Sequence, residues 1–158
     1  AFSKTFGFDS YTMVVCGSYR RGALDSSDID ILFKSEVFNL QQAVKALKDW
    51  GIIVETISMG DGKFTGICHC PSGQWHYFHL DLFYSTEDEW GAQLLAWTGG
   101  AAFNRNTRAA AKKKGYTLNQ YGLFNSPKDA KERRNSIAKT EKKILKMIDF
   151  PYIPPVCR

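Results

Sequence analysis

The sequence predicts a mixed α/β (α+β) fold, and three observations support this prediction. Short apolar, β-branched runs alternate with glycine-containing turns up to about residue 85. Beyond that point the chain becomes rich in Ala, Lys and Arg, with apolar positions at helical spacing. The 158 residues are 44% hydrophobic, which is enough apolar material for a compact core. We therefore expect a small sheet with helices on a face, followed by a mainly helical subdomain.

The N-terminal part contains five runs of strand character and one helical segment. The helix is predicted over residues 40–50, with Asn39 as its cap and Gly51 as its C-terminal stop. The predicted strands are residues 11–16, 29–33, 52–57, 63–70 and 76–84, with turns at 60–62 and 71–73.

An acidic patch at residues 87–89 marks the change of pattern. It predicts a boundary between a domain at 1–86 and a second domain at 87–158. Helices are predicted in the second domain over residues 87–96, 101–114 and 139–148, and Gly115 ends the middle one.

Charge is distributed unevenly along the chain. Residues 1–102 hold 7 Lys/Arg and 12 Asp/Glu, a net charge of −5, whereas residues 103–158 hold 14 and 4, a net charge of +10. Tyr116, Tyr121 and Phe124 lie among the basic residues. Clustered cations interleaved with aromatic rings favour a polyphosphate backbone as the partner, although a set of solvated helix faces has the same composition.

Two aspartates stand at alternate positions of a predicted strand. Asp28 and Asp30 therefore project from one face, and Ile29 and Ile31 from the other. Neighbouring carboxylates repel each other unless a cation lies between them, and Mg²⁺ prefers such oxygen ligands. Asp81, in the later run HLDLF, adds a third carboxylate, and the set suits two-metal phosphoryl transfer. For the D-x-D pattern alone, the polar outer face of an edge strand is the alternative interpretation.

The segment CGSYRR precedes these aspartates. Gly17 and Ser18 offer backbone N–H groups and a hydroxyl to a phosphate, and Arg20 or Arg21 offers a planar cation. We expect this segment to bind a triphosphate and the aspartates to bind the metal ions that accompany it.

Longer motifs extend the pattern over nearly the whole chain. Four segments resemble, in this order, the palm and thumb of family X DNA polymerases, the polymerase beta-like nucleotidyltransferases: CGSYRRGALDSSDIDIL, GDGKFTGI, WTGGAAFNRNTRAAAKKKGYTLNQYGLF and YIPPVCR. In extent the chain is similar to the minimal viral members, which consist of palm and thumb alone, and equally to a palm-and-thumb fragment of a larger member. The resemblance implies a nucleotidyltransferase palm with a mixed sheet at 1–86. It also implies a helical thumb-like subdomain with a small C-terminal sheet at 87–158.

The resemblance also implies roles for individual residues. Asp28, Asp30 and Asp81 would be the ligands of two Mg²⁺ ions, with Mn²⁺ as a substitute, and Asp81 would accept the proton of the primer hydroxyl. The implied nucleotide-binding residues are Gly17, Ser18, Arg21, Ser27, Trp97, Thr98, Gly99 and Asn104. The implied DNA-binding residues are Lys63, Arg105, Arg108, Lys112, Lys113 and Lys114. Two positions depart from the family pattern: Ser27 stands where Gly is common, and His79 where many members have Arg.

The implied function is template-directed DNA synthesis in gap-filling repair. The partners would be primer-template or gapped DNA and deoxynucleoside triphosphates, bound by a monomer. One alternative is a template-independent terminal nucleotidyltransferase, against which Asn104, Arg105 and Arg108 argue. The other is a non-catalytic DNA-end-binding module, against which the three aspartates argue.

Cellular setting is indicated by several absences in the sequence. The four cysteines lack the spacing of a disulfide-stapled secreted domain. Apolar runs of about 18 residues, which would cross a membrane, do not occur. The first residues also lack the layout of a secretory signal. We therefore expect an intracellular protein, nuclear or virus-associated, with no membrane partner.

Cys68, His69 and Cys70, with His76 and His79 nearby, suggest a zinc site. Their spacing matches none of the usual zinc patterns, and alternation along a strand would separate His69 from the two cysteines. We therefore favour cysteines packed in a sheet.

Overall fold

The computed structural model describes residues 2–7, 9–70 and 77–158. The chain divides into two compact units, each with its own hydrophobic core. The first unit comprises Ala1–Val15 and Asp25–Ser85, and the second comprises Cys16–Leu24 and Thr86–Arg158. The short segment Cys16–Leu24 thus belongs to the second unit, although in sequence it lies between two strands of the first.

The first unit is built on a five-stranded sheet. Its elements are α1 (Phe2–Phe6), β1 (Thr12–Val15), β2 (Asp28–Lys34), α3 (Leu40–Asp49), β3 (Ile53–Met59), β4 (Lys63–His69) and β5 (Tyr77–Tyr84). The strand order is β1-β2-β5-β4-β3. Strands β2 and β5 are parallel, and the other neighbouring pairs are antiparallel. The mixed sheet predicted from the sequence is confirmed.

Helix α3 forms where the sequence predicts it, because both its cap and its apolar spacing are local. Asn39 Oδ1 accepts a hydrogen bond from the Gln42 N–H at 3.0 Å, and Gln42 Oε1 accepts one from the Asn39 N–H at 3.0 Å. The helix ends before Gly51, whose φ of 68° is a left-handed conformation that favours glycine. The apolar side of α3 packs into the first core with strand residues, a cluster that includes Leu40, Ala43, Val44, Leu47, Phe33, Phe64 and Leu82.

The second unit is mainly helical. Its elements are α2 (Gly17–Arg20), α4 (Trp90–Thr98), α5 (Ala101–Lys113), β6 (Thr117–Asn119), β7 (Gly122–Phe124), α6 (Pro127–Glu132), α7 (Glu141–Met147) and a 3₁₀ turn at Pro155–Cys157. Strands β6 and β7 form the small sheet that the resemblance implies. The hydrophobic core of the second unit contains Leu95, Phe103, Leu123, Ile144 and Ile148.

Some local expectations needed correction. The first helix of the second domain begins at Trp90 rather than at residue 87, because the acidic residues 87–89 form a turn ahead of it. Gly17 and Ser18 begin the short helix α2, which was not predicted. Helices α1 and α6 were not predicted. The predicted turn at 71–73, Trp75 and His76 lie outside the described residues.

Two further observations concern the predicted setting. Each helix in the described part of the chain is too short or too polar to cross a lipid bilayer. All four cysteines are free thiols, and Cys16 and Cys68 are buried.

Candidate active site

The three candidate metal ligands share one face of the first unit's sheet. Strands β2 and β5 pair so that Asp30 lies directly opposite Asp81. Asp28 lies two residues earlier on the same face, opposite His79. Strand β2 lies between β1 and β5, but β1 pairs only with residues 31–34, so the D-x-D residues pair with β5 alone among the described strands. The structure thus places two of the three carboxylates side by side on adjacent strands.

Both carboxylate oxygens of Asp81 have partners from β4. Thr65, directly opposite Asp81 in the β4–β5 register, donates a hydrogen bond from Oγ1 to Oδ1 at 2.7 Å. Lys63 Nζ lies 2.6 Å from Oδ2 and 5.1 Å from the centre of the Phe83 ring. Lys63 was assigned to DNA from the sequence, whereas Thr65 was missed. The sequence signal available for Thr65 was its position two residues after Lys63, on the same face of the strand that precedes the HLDLF run.

The donor chemistry of this acidic face fits a hard divalent cation. Asp28, Asp30 and Asp81 offer only carboxylate oxygen, the ligand type that Mg²⁺ prefers. Across residues 2–7, 9–70 and 77–158, however, no three His, Cys, Asp or Glu side chains are gathered closely enough to enclose a metal ion. Ser27, the remaining candidate here, is exposed in the loop before β2.

In the second unit, the segment around α2 is fixed by its own backbone and by Thr98. Gly17 has a φ of 55°, a conformation that favours glycine, and the Ala23 N–H donates to the Ser18 carbonyl at 3.0 Å. Arg21 Nη1 donates to the Thr98 carbonyl at 2.7 Å. The predicted phosphate-binding arginine therefore lies against the predicted sugar-side segment Trp97, Thr98 and Gly99.

Arg20 has a different role from Arg21. Its guanidinium donates two hydrogen bonds to the Glu141 carboxylate, at 3.1 and 2.8 Å, and a third to Thr98 Oγ1. Arg158 Nη1 also donates to Glu141, at 2.8 Å. Of the two arginines that the sequence offered to a phosphate, Arg20 is thus held in a buried ion-pair network. Sequence reasoning missed Glu141 and Arg158, which have no local signal linking them to Arg20.

The end of α4 is fixed by side-chain hydrogen bonds, one of which comes from α5. Asn104 Nδ2 donates to the Ala96 carbonyl at 2.9 Å, and Trp97 Nε1 donates to Gln93 Oε1 at 3.2 Å. Gly99 is buried with a φ of 71°, and a Cβ there would lie 3.1 Å from Arg21 Nη1. Of the nucleotide-side candidates, Arg21 therefore contacts Thr98 and lies close to Gly99, whereas Asn104 contacts Ala96, next to Trp97.

Helix α5 carries a basic stripe on its exposed side. Arg105, Arg108 and Lys112 recur at spacings of three and four residues, so they share one helix face, which is exposed. The buried residues Phe103, Thr107 and Ala111 define the opposite face. Lys113 and Lys114 are also exposed but lie off this stripe, and Lys114 forms an ion pair with Asp149 at 3.0 Å. The α5 stripe is hereafter Arg105, Arg108 and Lys112.

A concave surface of about 430 Å³ adjoins the α5 stripe. Two cations of the stripe line it together with the Tyr116 ring and apolar side chains. Its lining residues are Arg108, Lys112, Gly115, Tyr116, Thr117, Leu118 and Pro127.

Comparison with protein families defines the class to which this fold and these residues belong. The model of the DNA polymerase beta palm matches residues 4–87, and the model of the DNA polymerase beta thumb matches residues 93–158. The chain therefore belongs to the polymerase beta-like family X of DNA polymerases.

Individual relatives give the same assignment. The chain is similar to DNA polymerase lambda of Rattus norvegicus, with 28% identity over 161 residues that cover 92% of this chain and 28% of the relative. It is also similar to DNA polymerase lambda of Arabidopsis thaliana, with 30% identity over 164 residues that cover 90% and 31%, respectively. The chain thus spans less than a third of the length of these curated relatives.

Proposed function

We propose that this chain is a template-directed DNA polymerase that adds deoxynucleotides to a primer 3′-OH and fills short gaps in DNA repair. The observation that carries the proposal is the β2–β5 register, which sets Asp30 directly opposite Asp81 with Asp28 on the same face. Three carboxylates on neighbouring strands of one sheet could hold the two metal ions of such a phosphoryl transfer. Residues 1–86 would form the catalytic palm and residues 87–158 the thumb-like subdomain.

Asp28, Asp30 and Asp81 would hold two Mg²⁺ ions, with Mn²⁺ as a substitute. When bound, these ions supply activation of the attacking hydroxyl and stabilisation of the leaving oxygen. Asp81 would accept the proton of the primer 3′-OH. In the structure, Thr65 Oγ1 donates to one oxygen of this carboxylate and Lys63 Nζ lies beside the other.

Residues of the second unit would bind the nucleotide. Gly17, Ser18 and Arg21 would bind the β- and γ-phosphates. Ser27, in the first unit, is a further proposed nucleotide-binding residue. Arg21 is already oriented by its hydrogen bond to Thr98. Trp97, Thr98 and Gly99 would lie beside the sugar, and Asn104 would reach the base.

The α5 stripe would bind the template strand through Arg105 and Arg108, with Lys112, Lys113, Lys114 and Lys63 contacting phosphates. Gapped or primer-template DNA and deoxynucleoside triphosphates are the proposed partners of a monomeric enzyme. An intracellular setting, nuclear or virus-associated, suits a chain whose four cysteines are all free.

The test is incorporation into a one-nucleotide gap, with each deoxynucleoside triphosphate supplied in turn. We expect Mg²⁺-dependent addition of the complementary nucleotide only. Addition without a template would favour a terminal transferase, and binding of DNA ends without any addition would favour a non-catalytic module.

Asp81→Ala should lower the incorporation rate by about a hundredfold or more, because it removes a proton acceptor and a metal ligand. DNA affinity should change little, since no phosphate contact is lost. Asp61→Ala, in the exposed turn between β3 and β4, is the control with the same change of charge. An Asp81→Ala rate within tenfold of the parent would contradict the assignment.

A further inference from the structure

Lys63 is placed beside Asp81 by the turn that precedes β4. The Gly60 N–H donates to the Lys63 carbonyl at 2.8 Å, and the Tyr84 N–H donates to the Gly62 carbonyl at 3.0 Å. These bonds hold the start of β4 against the end of β5, where Lys63 pairs with Phe83. The Lys63 side chain therefore emerges on the face that carries Asp81, two register positions away.

The two partners of Asp81 divide its oxygens between them. Thr65 Oγ1 donates to Oδ1 at 2.7 Å, and Lys63 Nζ lies 2.6 Å from Oδ2. Asp30 lies directly across β2–β5 from Asp81, so two negative groups are adjacent on this face. The Lys63 ammonium reduces their repulsion by supplying a positive charge at Oδ2.

We propose that Lys63 is an internal cation that occupies Asp81 Oδ2 in the metal-free protein and yields this oxygen to a divalent ion. Lys63 thereby sets the metal concentration at which the site fills. Thr65 is a positioning residue that keeps the carboxylate oriented during the exchange. This inference rests on the proposed function, because it assumes that Asp81 is a metal ligand.

The exchange is feasible because the ion pair is weak. The side chains of Lys63 and Asp81 are 46% and 27% exposed, and ion pairs with this degree of exposure contribute little net stability. A divalent ion bound by several carboxylates has twice the charge of an ammonium group. We therefore expect it to displace Lys63 from Oδ2. Because the ion pair must break first, the metal affinity is modestly lower than it would be without Lys63.

Mn²⁺ binding to the full chain without DNA or nucleotide tests the inference, with free Mn²⁺ measured by electron paramagnetic resonance. Lys63→Met should bind Mn²⁺ about two- to fivefold more tightly than the parent, because the competing cation is gone. Lys63→Arg keeps the charge and should remain near the parent. Lys45→Met is the matched control, since Lys45 forms an exposed ion pair with Asp49 at 2.6 Å on α3.

Thr65 is tested in the same assay. Thr65→Val keeps the shape of the side chain but removes the hydrogen bond to Oδ1, so Mn²⁺ should bind about two- to fivefold more weakly. Thr65→Ser restores a hydroxyl and should recover most of the affinity. Circular dichroism establishes that each variant is folded, and Lys63→Gln replaces Lys63→Met if the apolar side chain prevents folding.

The outcomes separate this inference from the proposed function. Equal or weaker Mn²⁺ binding by Lys63→Met, with the parent active in gap filling, would overturn the inference alone. Parent protein that neither binds Mn²⁺ nor incorporates nucleotides would overturn both. Tighter binding by Lys63→Met, with Lys45→Met unchanged, would support the inference.

Discussion

At the scale of single residues, the Glu141 carboxylate is a buried charge that is paired with two arginines, Arg20 and Arg158. Only 9% of its side chain is exposed, and the paired Arg158 side chain is fully buried. Burial alone would raise the pKa of Glu141, but hydrogen bonds from Arg20 and Arg158 outweigh it and hold the pKa below its usual value of 4.5. The carboxylate therefore stabilises the folded chain only while it is ionised.

Glu141→Gln should lower the free energy of unfolding at pH 7 by about 2–4 kcal/mol, because it leaves the buried Arg158 guanidinium and the partly exposed Arg20 guanidinium without their counter-ion. Since the folded-state pKa is depressed, the contribution is fully present above about pH 4.5 and is lost as the pH falls through the folded-state pKa. Urea unfolding of parent and variant should therefore differ at pH 7 and converge in acid.

Glu132→Gln removes the same charge from an exposed position at the end of α6, so it should change stability little at either pH. A difference between the parent and Glu141→Gln that stayed constant from pH 7 to pH 3 would show that the charge of Glu141 is not what stabilises this region.

Cys68 is fully buried in the first core, and burial raises the pKa of its thiol to about 11. At pH 8 about one thiol in a thousand would be ionised. We expect Cys68 to resist a thiol reagent such as DTNB in the folded protein, whereas the exposed Cys157 reacts quickly.

Cys157→Ser should remove the fast phase of this reaction, and Cys68→Ser should leave it intact. Rapid modification that disappears in Cys68→Ser would mean that the thiol is accessible and that β4 is not packed as described.

At the scale of secondary-structure elements, the exposed face of α5 distinguishes lysines that are adjacent in the sequence. The three consecutive lysines 112–114 look equivalent in the sequence, but only Lys112 lies on the α5 stripe. Lys112→Gln should reduce the salt dependence of DNA binding by about one phosphate contact, a change of roughly 0.9 in the slope of log K against log salt. Lys113→Gln, one residue away with the same charge change, should alter the slope less.

Fluorescence anisotropy with gapped duplex DNA over a range of salt concentrations measures both slopes. Equal slopes for Lys112→Gln and Lys113→Gln would mean that the DNA does not follow this face of α5.

At the scale of the whole molecule, the separation of charge is the dominant electrostatic feature. The basic residues are concentrated in residues 103–158, with a net +10, while residues 1–102 carry a net −5. DNA affinity of the parent should fall steeply with salt, with a log–log slope of about −3.6 to −5.4 for roughly four to six phosphate contacts. A slope shallower than about −1 would contradict a phosphate-binding role for this region.

Much of the fold could be predicted because its determinants are local. The β-branched runs, the capping box at Asn39 and Gln42 and the helical spacing on α3 and α5 all act over a few residues. Short elements escaped prediction for the same reason. Helices α1 and α2 have five and four residues, too few to show a periodic pattern.

The same distinction between local and long-range determinants applies to the candidate site. Alternation and composition are properties of the sequence, so the sequence alone predicts that Asp28, Asp30 and Asp81 are on strands with apolar neighbours and that most basic residues follow residue 102. The contacts of Asp81 with Lys63 and Thr65, its position opposite Asp30, and the pairing of Glu141 with Arg20 rather than Arg21 become visible only in the folded chain. These contacts join residues 16 to 121 positions apart. Strand register and packing select such partners, and neither is written in the spacing of neighbouring residues.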